Sequence, residues 1–110
     1  MAVISGWAPF WNSFDSASLP SLPGAVELAS AGVETDGAAH NRRFVAAALD
    51  IAADVAPELV TLAHDPQTSG GLLAAIPPDL LERVMAAFAQ ASVGASHIGR
   101  VEGGLGVALA

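Results

Sequence analysis

A short apolar run between paired glycines and paired prolines constrains the fold of this chain more than any other segment. Residues 72–76 read LLAAI, preceded by Gly-Gly and followed by Pro-Pro. Glycine and proline pairs interrupt regular structure, so they limit this run to five residues. Five residues are enough for a strand but too few for a typical helix. A strand without polar alternation is typical of a sheet covered on both faces. We therefore predict a buried strand at residues 72–76.

Apolar residues at helical spacing predict the elements around this strand. The clearest helix follows the double proline, and its apolar stripe is made by Leu80, Leu81, Val84, Met85 and Phe88. Short helices are predicted over residues 25–29 and from Pro57 to a point before Pro66. Residues 33–41 are predicted as a loop, and residues 41–55 as a helix with Asn41 as its N-cap.

The end of the chain returns to strand-like sequence. The segments SHIGRV and GVALA flank the glycines of EGG, and we predict two strands joined by a hairpin turn. These closely spaced glycines lack the strand–loop–helix context of a dinucleotide-binding loop. The C-terminal half is thus predicted to have the order β–α–β–β. The whole chain is predicted to be an α+β domain in which a mixed sheet carries helices mainly on one face.

The first eighteen residues are the least readable part of the chain. Because Pro9 cannot donate to a ladder, we predict an edge strand or an irregular segment here, separate from a domain over residues 19–110. The segment also holds an aromatic cluster. We expect these aromatic side chains to anchor the segment in a core rather than to form a partner-binding patch. The cluster consists of Trp7, Phe10, Trp11 and Phe14.

Charge and composition exclude several function classes. The net charge is −7, and the cations are four arginines with no lysine, so nucleic acid and anionic membranes are not expected partners. There is no cysteine, which excludes disulfides and thiolate chemistry and fits a cytoplasmic protein. No apolar run has the length of a membrane span, and MAVISGWAPFW lacks the charged start of a signal peptide.

The loop before the apolar run carries a recognisable signature. Asp65 to Gly71 reads DPQTSGG, and this string closely resembles a motif near the C-terminus of selenophosphate synthetases (selenide, water dikinases). These enzymes belong to the superfamily of aminoimidazole ribonucleotide (AIR) synthetase. The segments LPSLPGAVELASAGV, DGAAHNRRFV and SHIGRV resemble other family segments in the same order. The resemblance covers roughly residues 19–102 and implies a fold like the C-terminal domain of AIR synthetase.

The departures from the family are equally informative. In the family, an N-terminal half carries the catalytic Cys or selenocysteine, a Lys, and the aspartates that hold Mg²⁺ and ATP. This chain has neither Cys nor Lys and is about a third of the family's length. In DGAAHN, Gly37 and Asn41 match a family motif, whereas Ala38 and His40 replace its Thr and Arg. The resemblance therefore implies Mg²⁺ and ATP for the full-length family and no cofactor for this chain alone.

The signature loop has two interpretations on its residues alone. Asp65 can accept backbone hydrogen bonds, Pro66 fixes a turn, and the glycines permit close backbone approach. With its hydroxyls the loop could form an anion nest, yet its glycines open a strand and no Lys is present. The resemblance implies a nucleotide- or phosphate-facing wall. Its candidate residues are Asp65, Pro66, Gln67, Thr68, Ser69, Gly70 and Gly71, with Gly37 and Asn41 as a secondary motif.

Other residues capable of chemistry are scattered. His40, His64 and His97 are far apart in sequence, so a zinc site would need the fold to gather them with a carboxylate. His64 beside Asp65 is a candidate general base, although a surface histidine is favoured. Arg42 and Arg43 are expected to be solvated on a helix rather than to grip a phosphate.

Taken together, these observations predict a C-terminal domain fragment or truncated homologue of selenophosphate synthetase that is inactive alone. The alternative is a stand-alone assembly module. Because only 14% of its residues are charged, such a module is expected to self-associate or to dock onto a separate N-terminal ATP-binding subunit. A third interpretation is a small-ligand-binding β–α–β–β domain.

Overall fold

A computed structural model describes residues 1–6, 10–66 and 71–110, and within them six strands form one mixed sheet. In chain order the strands are β1 (Ala2–Ser5), β2 (Phe10–Phe14), β3 (Leu49–Ile51), β4 (Leu73–Ile76), β5 (Ser96–Gly103) and β6 (Gly106–Leu109). Their order across the sheet is β3-β6-β2-β5-β1-β4. The pairs β1–β4, β1–β5, β2–β6 and β3–β6 are parallel, whereas β2 and β5 are antiparallel.

Four α-helices connect the strands in the described part of the chain. They are α1 (Ala25–Ser30), α2 (Asp36–Val45), α3 (Pro57–His64) and α4 (Leu81–Gln90), with short 3-10 helices at Ser16–Ser18 and Pro78–Leu80. The predicted α+β class with a mixed sheet is confirmed, and so is the order β4–α4–β5–β6. The fold is compatible with an AIR synthetase-like domain. No helix among the described residues is both long and apolar enough to cross a membrane.

The first eighteen residues supply two interior strands, so their interpretation as an edge strand is wrong. β1 lies between β4 and β5, and β2 lies between β5 and β6. The prediction treated the segment around Pro9 as one unit, whereas β2 begins at Phe10, after the proline. Because β2 is inserted between β5 and β6, these two strands are not the predicted hairpin. The boundary between residues 1–18 and 19–110 stays a prediction.

Residues 73–76 of the apolar run form strand β4, but this strand is not covered on both faces. β4 ends the sheet and pairs only with β1 among the described strands. Ile76 is buried, whereas the side chains of Leu72 and Leu73 are 73% and 55% exposed. The error arises because an uninterrupted apolar strand indicates a covered strand only where neighbouring elements supply the cover.

The second helix begins earlier than its composition indicated. Thr35, not Asn41, is the N-cap of α2, since its hydroxyl accepts a hydrogen bond from the backbone N–H of Ala38 at 3.2 Å. The loop prediction for residues 33–41 is therefore wrong from Asp36 onward. The predicted helix of residues 41–55 also ends early, because β3 pairs with β6 there, with Leu49 opposite Val107.

The core is built on both faces of the sheet. Adjacent residues of a strand point to opposite faces, and Val3 and Ile4 of β1 are 0% and 4% exposed. The other buried apolar side chains among the described residues belong to Ala38, Ile76, Ile98 and Leu109. Burial on both faces of β1 is what a strand interior to a packed sheet requires.

Trp11 packs against the connection between β5 and β6. Gly106 has φ +132°, and a Cβ there would lie 2.7 Å from the indole ring and 2.9 Å from the carbonyl oxygen of Ala48. Only glycine suits this position, which explains part of the glycine spacing in EGGLG. Of the other residues in the aromatic cluster, Phe14 is half-buried, and Trp7 lies outside the described residues.

Candidate functional site

The signature loop leads from the end of α3 to the start of β4. Asp65 is the C-cap of α3, and its backbone N–H donates to the carbonyl of Leu62 at 3.1 Å. At the far end of the loop, a Cβ on Gly71 would lie 3.4 Å from the amino nitrogen of Met1. The loop thus ends beside the start of β1. Four of its predicted site residues, Gln67, Thr68, Ser69 and Gly70, lie outside the described residues.

The N-terminus of α2 is tied to the start of this loop. The Thr35 hydroxyl donates to the Asp65 carboxylate, with 2.8 Å between Oγ1 and Oδ1. The same oxygen accepts from the Ala38 N–H, so one side chain caps α2 and holds the signature aspartate. The sequence prediction did not include Thr35, although a Thr followed by an acidic residue in the first turn is a recognisable N-cap signal.

The two predicted motifs meet at this point. A Cβ on Gly37 would overlap the ring of Pro66, so this glycine permits close packing of α2 against the loop. Asn41 donates through Nδ2 to the carbonyl oxygen of His64 at 2.9 Å. The fold therefore brings Gly37 and Asn41 to Asp65 and Pro66. Their role in binding stays a prediction.

His64 is part of this packing rather than a surface histidine. Its side chain is 7% exposed, and Nδ1 lies 2.7 Å from the carbonyl oxygen of Val60 in the preceding turn of α3. A carbonyl only accepts, so Nδ1 carries the proton in this contact. The expectation of a surface position is thus wrong, since the helix end is covered by the α2 contact through Asn41.

The arginine pair of α2 divides into two roles. Arg42 pairs with Glu34 at 2.9 Å, and its Nη2 lies 3.4 Å from the hydroxyl of Thr61 on α3. Arg42 therefore links Glu34, just before α2, with α3 while its side chain stays 43% exposed. A partly exposed ion pair of this kind contributes little stability. Arg43 is exposed, as predicted.

The described residues gather no set of three or more His, Cys, Asp or Glu side chains around a common point. His40 is exposed on α2, His64 is buried at the end of α3, and His97 lies on β5. The three histidines are therefore not gathered by the fold in the way a zinc site requires. We assign no metal ligand to this chain.

A polar cleft lies on one face of the sheet, separate from the signature loop. It has a volume of about 550 Å³ and is lined by Ser5, Ser13, Phe14, Asp15, Ser18, His97, Gly99, Arg100 and Ala110. Nε2 of His97 lies 3.1 Å from Oγ of Ser5. The hydrogen bond from the Ser18 hydroxyl lowers the pKa of Asp15, with backbone N–H donors of Ala17 and Ser18 acting in the same direction. Sequence reasoning missed this cleft because its residues come from distant segments.

Comparison with known proteins extends the resemblance to most of the chain. No protein-family model matches the chain. The selenide, water dikinase of Nitratidesulfovibrio vulgaris (strain Miyazaki F) is 38% identical over 89 residues, 81% of this chain and 25% of that protein. That of Pseudomonas straminea is 37% identical over 82% of this chain and 26% of that protein. That of Pelobacter propionicus is 41% identical over 66% of this chain and 21% of that protein.

The matched segments have the length of a domain and not of a whole enzyme. The chain spans about a quarter of the length of the curated relatives it matches, while four fifths of the chain itself aligns with two of them. This proportion is consistent with a C-terminal domain fragment, and the predicted resemblance is confirmed. The chain is thus similar to the selenide, water dikinases over about one quarter of the length of those proteins.

Proposed function

We propose that this chain is the C-terminal domain of a selenophosphate synthetase, or a truncated homologue of one. Its signature loop, residues 65–71, would form the nucleotide- or phosphate-facing wall of a site. The rest of a full-length enzyme would complete that site. The observation that carries the proposal is the contact between α2 and the loop, in which Thr35 and Asn41 hold the residues that lead into DPQTSGG.

This arrangement suits a loop that receives an anion. Backbone N–H groups and hydroxyls bind an anion best when the surrounding structure holds them in place beforehand. Thr35 fixes the first residue of the loop, and the packing of Gly37 on Pro66 fixes the second. The hydroxyls of Thr68 and Ser69 and the N–H groups of the glycines would then supply the donors.

The reaction proposed for the complete enzyme converts ATP, selenide and water to selenophosphate, AMP and phosphate. In the family that the sequence resembles, a Cys or selenocysteine, a Lys and Mg²⁺-holding aspartates perform this chemistry. This chain contains no Cys and no Lys. Mg²⁺ and ATP are proposed only for the complete enzyme, and no step is assigned to a residue of this chain.

Substitution in a full-length selenide, water dikinase tests the loop. Alanine at the positions that match Thr68 and Gly70 is expected to weaken ATP binding about fivefold to tenfold, since each removes or misplaces an anion donor. Alanine at the position that matches Arg83, exposed on α4, is the control and should leave binding unchanged. Unaltered ATP affinity and AMP formation in both loop variants would contradict the proposal.

The 110-residue chain supplies a second test. Incubated with ATP, Mg²⁺ and selenide, it is expected to form no AMP above the protein-free background. AMP formation by the purified chain would show that the complete catalytic machinery is present here, and the proposal would be wrong.

The edge of the sheet supports a second candidate, an assembly module. β4 has no strand on its outer side among the described residues, and Leu72 and Leu73 are exposed there. An open apolar strand edge is a surface on which another chain can add a strand. Sedimentation of the chain, alone and with the N-terminal domain of a full-length relative, tests this candidate. A strict monomer that binds no such domain would exclude it.

A further inference from the structure

Three of the residues that line the polar cleft form a single row across three strands. Arg100 of β5 lies opposite Ser5 of the parallel strand β1 and opposite Ser13 of the antiparallel strand β2. Residues opposite each other in a sheet point to the same face, so the arginine stands between two hydroxyls. All three residues line the same cleft.

A break in the register brings a fourth polar group to the same face of the sheet as this row. His97 and Arg100 are three residues apart, and an unbroken strand would point them to opposite faces. The pairing of β1 with β5 shifts between Val3 and Ile4, so that His97 lies opposite Val3 while Arg100 lies opposite Ser5. Both side chains therefore line the cleft. Bulges that re-aim side chains in this way are common beside binding sites.

The guanidinium of Arg100 meets a carboxylate through one of its three nitrogens. Its Nε donates to Oε1 of Glu102 at 3.1 Å. No hydrogen bond from either Nη is recorded within residues 1–6, 10–66 and 71–110. A guanidinium fork with two available nitrogens binds the paired oxygens of a phosphate or carboxylate.

The acidic residue of the cleft is already satisfied. The Asp15 carboxylate accepts hydrogen bonds from the Ser18 hydroxyl and from the Ala17 N–H at 3.1 Å. These donors stabilise the charged carboxylate of Asp15, and Glu102 accepts a hydrogen bond from Nε of Arg100. The groups that can meet a ligand are the two Nη nitrogens of Arg100 and the hydroxyl of Ser13, together with His97 and Ser5, which contact each other at 3.1 Å.

We propose that this cleft binds a compact oxyanion, with phosphate or a phosphate monoester as its ligand class. A volume of about 550 Å³ lies within the ordinary range for small-molecule sites. The proposal is independent of the signature loop. That loop ends beside Met1, whereas Ser5 is at the other end of β1, about 13 Å further along a strand.

Titration of the isotope-labelled chain with inorganic phosphate, followed by NMR, tests the site. Saturable shifts are expected in the ring signals of His97 and the side-chain signals of Arg100. Arg100→Gln should weaken binding about tenfold, because it removes a charge-assisted hydrogen bond. Arg83→Gln, which removes an exposed arginine of α4, is the matched control and should bind like the wild type.

Two further arms make the result decisive. Ser13→Ala keeps the charge of the cleft and is expected to weaken binding by a smaller factor, which guards against misfolding of the arginine variant. Titration with acetate separates a phosphate site from a general carboxylate site, and weaker binding of acetate is expected. The proposal is wrong if phosphate causes no saturable shift at His97, if Arg100→Gln binds like Arg83→Gln, or if acetate binds as tightly as phosphate.

Discussion

The Thr35 hydroxyl joins two elements by donating to the Asp65 carboxylate at 2.8 Å while it accepts from the first turn of α2. The cap of a helix and the first residue of the family signature therefore depend on the same oxygen atom. A change at Thr35 is expected to affect both the stability of α2 and the conformation of the loop.

Thr35→Ala is expected to lower the free energy of unfolding by about 1–2 kcal/mol, since the helix cap is lost. The bond to Asp65 is lost with it. Urea unfolding followed by circular dichroism measures the change. Thr35→Ser keeps a hydroxyl that can cap and donate, and it should retain most of the stability. Equal stability of Thr35→Ala and the wild type would show that the cap contributes nothing.

Gly37→Ala tests how closely α2 packs on the loop. Alanine favours a helix over glycine by about 1 kcal/mol, yet its methyl group would overlap Pro66. We expect the overlap to prevail, with a net loss of about 1–3 kcal/mol in thermal or urea unfolding. Gly94→Ala is the matched control, because a Cβ at that glycine meets nothing within 4 Å. A stabilised Gly37→Ala variant would contradict this packing.

Ser18→Ala is expected to raise the pKa of Asp15. The Ser18 hydroxyl is the main cause that holds this pKa below its ordinary value of 3.8. Because the folded-state pKa is lowered, the charged carboxylate stabilises the fold above that ordinary value. The stabilisation is lost as the pH falls through the folded-state pKa. Carboxyl NMR titration of the two proteins measures the change, and an unaltered Asp15 would contradict the assignment.

Leu73→Lys is expected to suppress any self-association that uses the open edge of β4. A lysine on an edge strand disfavours the addition of a further strand, and Leu73 is already 55% exposed. Leu105→Lys changes an 82% exposed leucine in the connection between β5 and β6 and serves as the control. Sedimentation velocity should show a shift toward monomer for Leu73→Lys alone. Equal effects of both variants would assign the association to hydrophobicity in general.

Ile4→Ala is expected to cost about 2–5 kcal/mol, as for other large-to-small changes in a core. The Ile4 side chain is 4% exposed on an interior strand. Ile51→Ala removes the same atoms from a side chain that is 38% exposed, and its cost should be much smaller. Similar costs in urea unfolding would mean that β1 is not an interior strand.

The sequence was sufficient to predict those elements whose signals are local. α3 begins at Pro57, and α1 lies between Pro23 and Gly32, as their proline and glycine punctuation indicated. The start of α2 was missed because Asn41 was assigned a capping role. Asn41 is instead inside the helix, and its side chain reaches the carbonyl of His64, 23 residues away.

Long-range pairing explains the other errors. Nothing local in SHIGRV or GVALA indicates that β2, from the first part of the chain, separates them. The exposure of Leu73 likewise depends on which strand lies at the end of the sheet. The polar cleft needs both the insertion of β2 and the register shift between β1 and β5, so neither Ser13 nor Arg100 could be selected from spacing alone.

The position of β1 in the sheet also means that its residues wait for their partner strands during synthesis. Its neighbours in the sheet start at Leu73 and Ser96, so Ala2 is made about 70 residues before its first partner. At ordinary synthesis rates this interval is about 4–14 s. During it, Val3 and Ile4, which are buried in the finished sheet, remain uncovered by their partner strands. Chaperone capture of β1 before its partner strands are synthesised is therefore expected to raise the yield of folded protein.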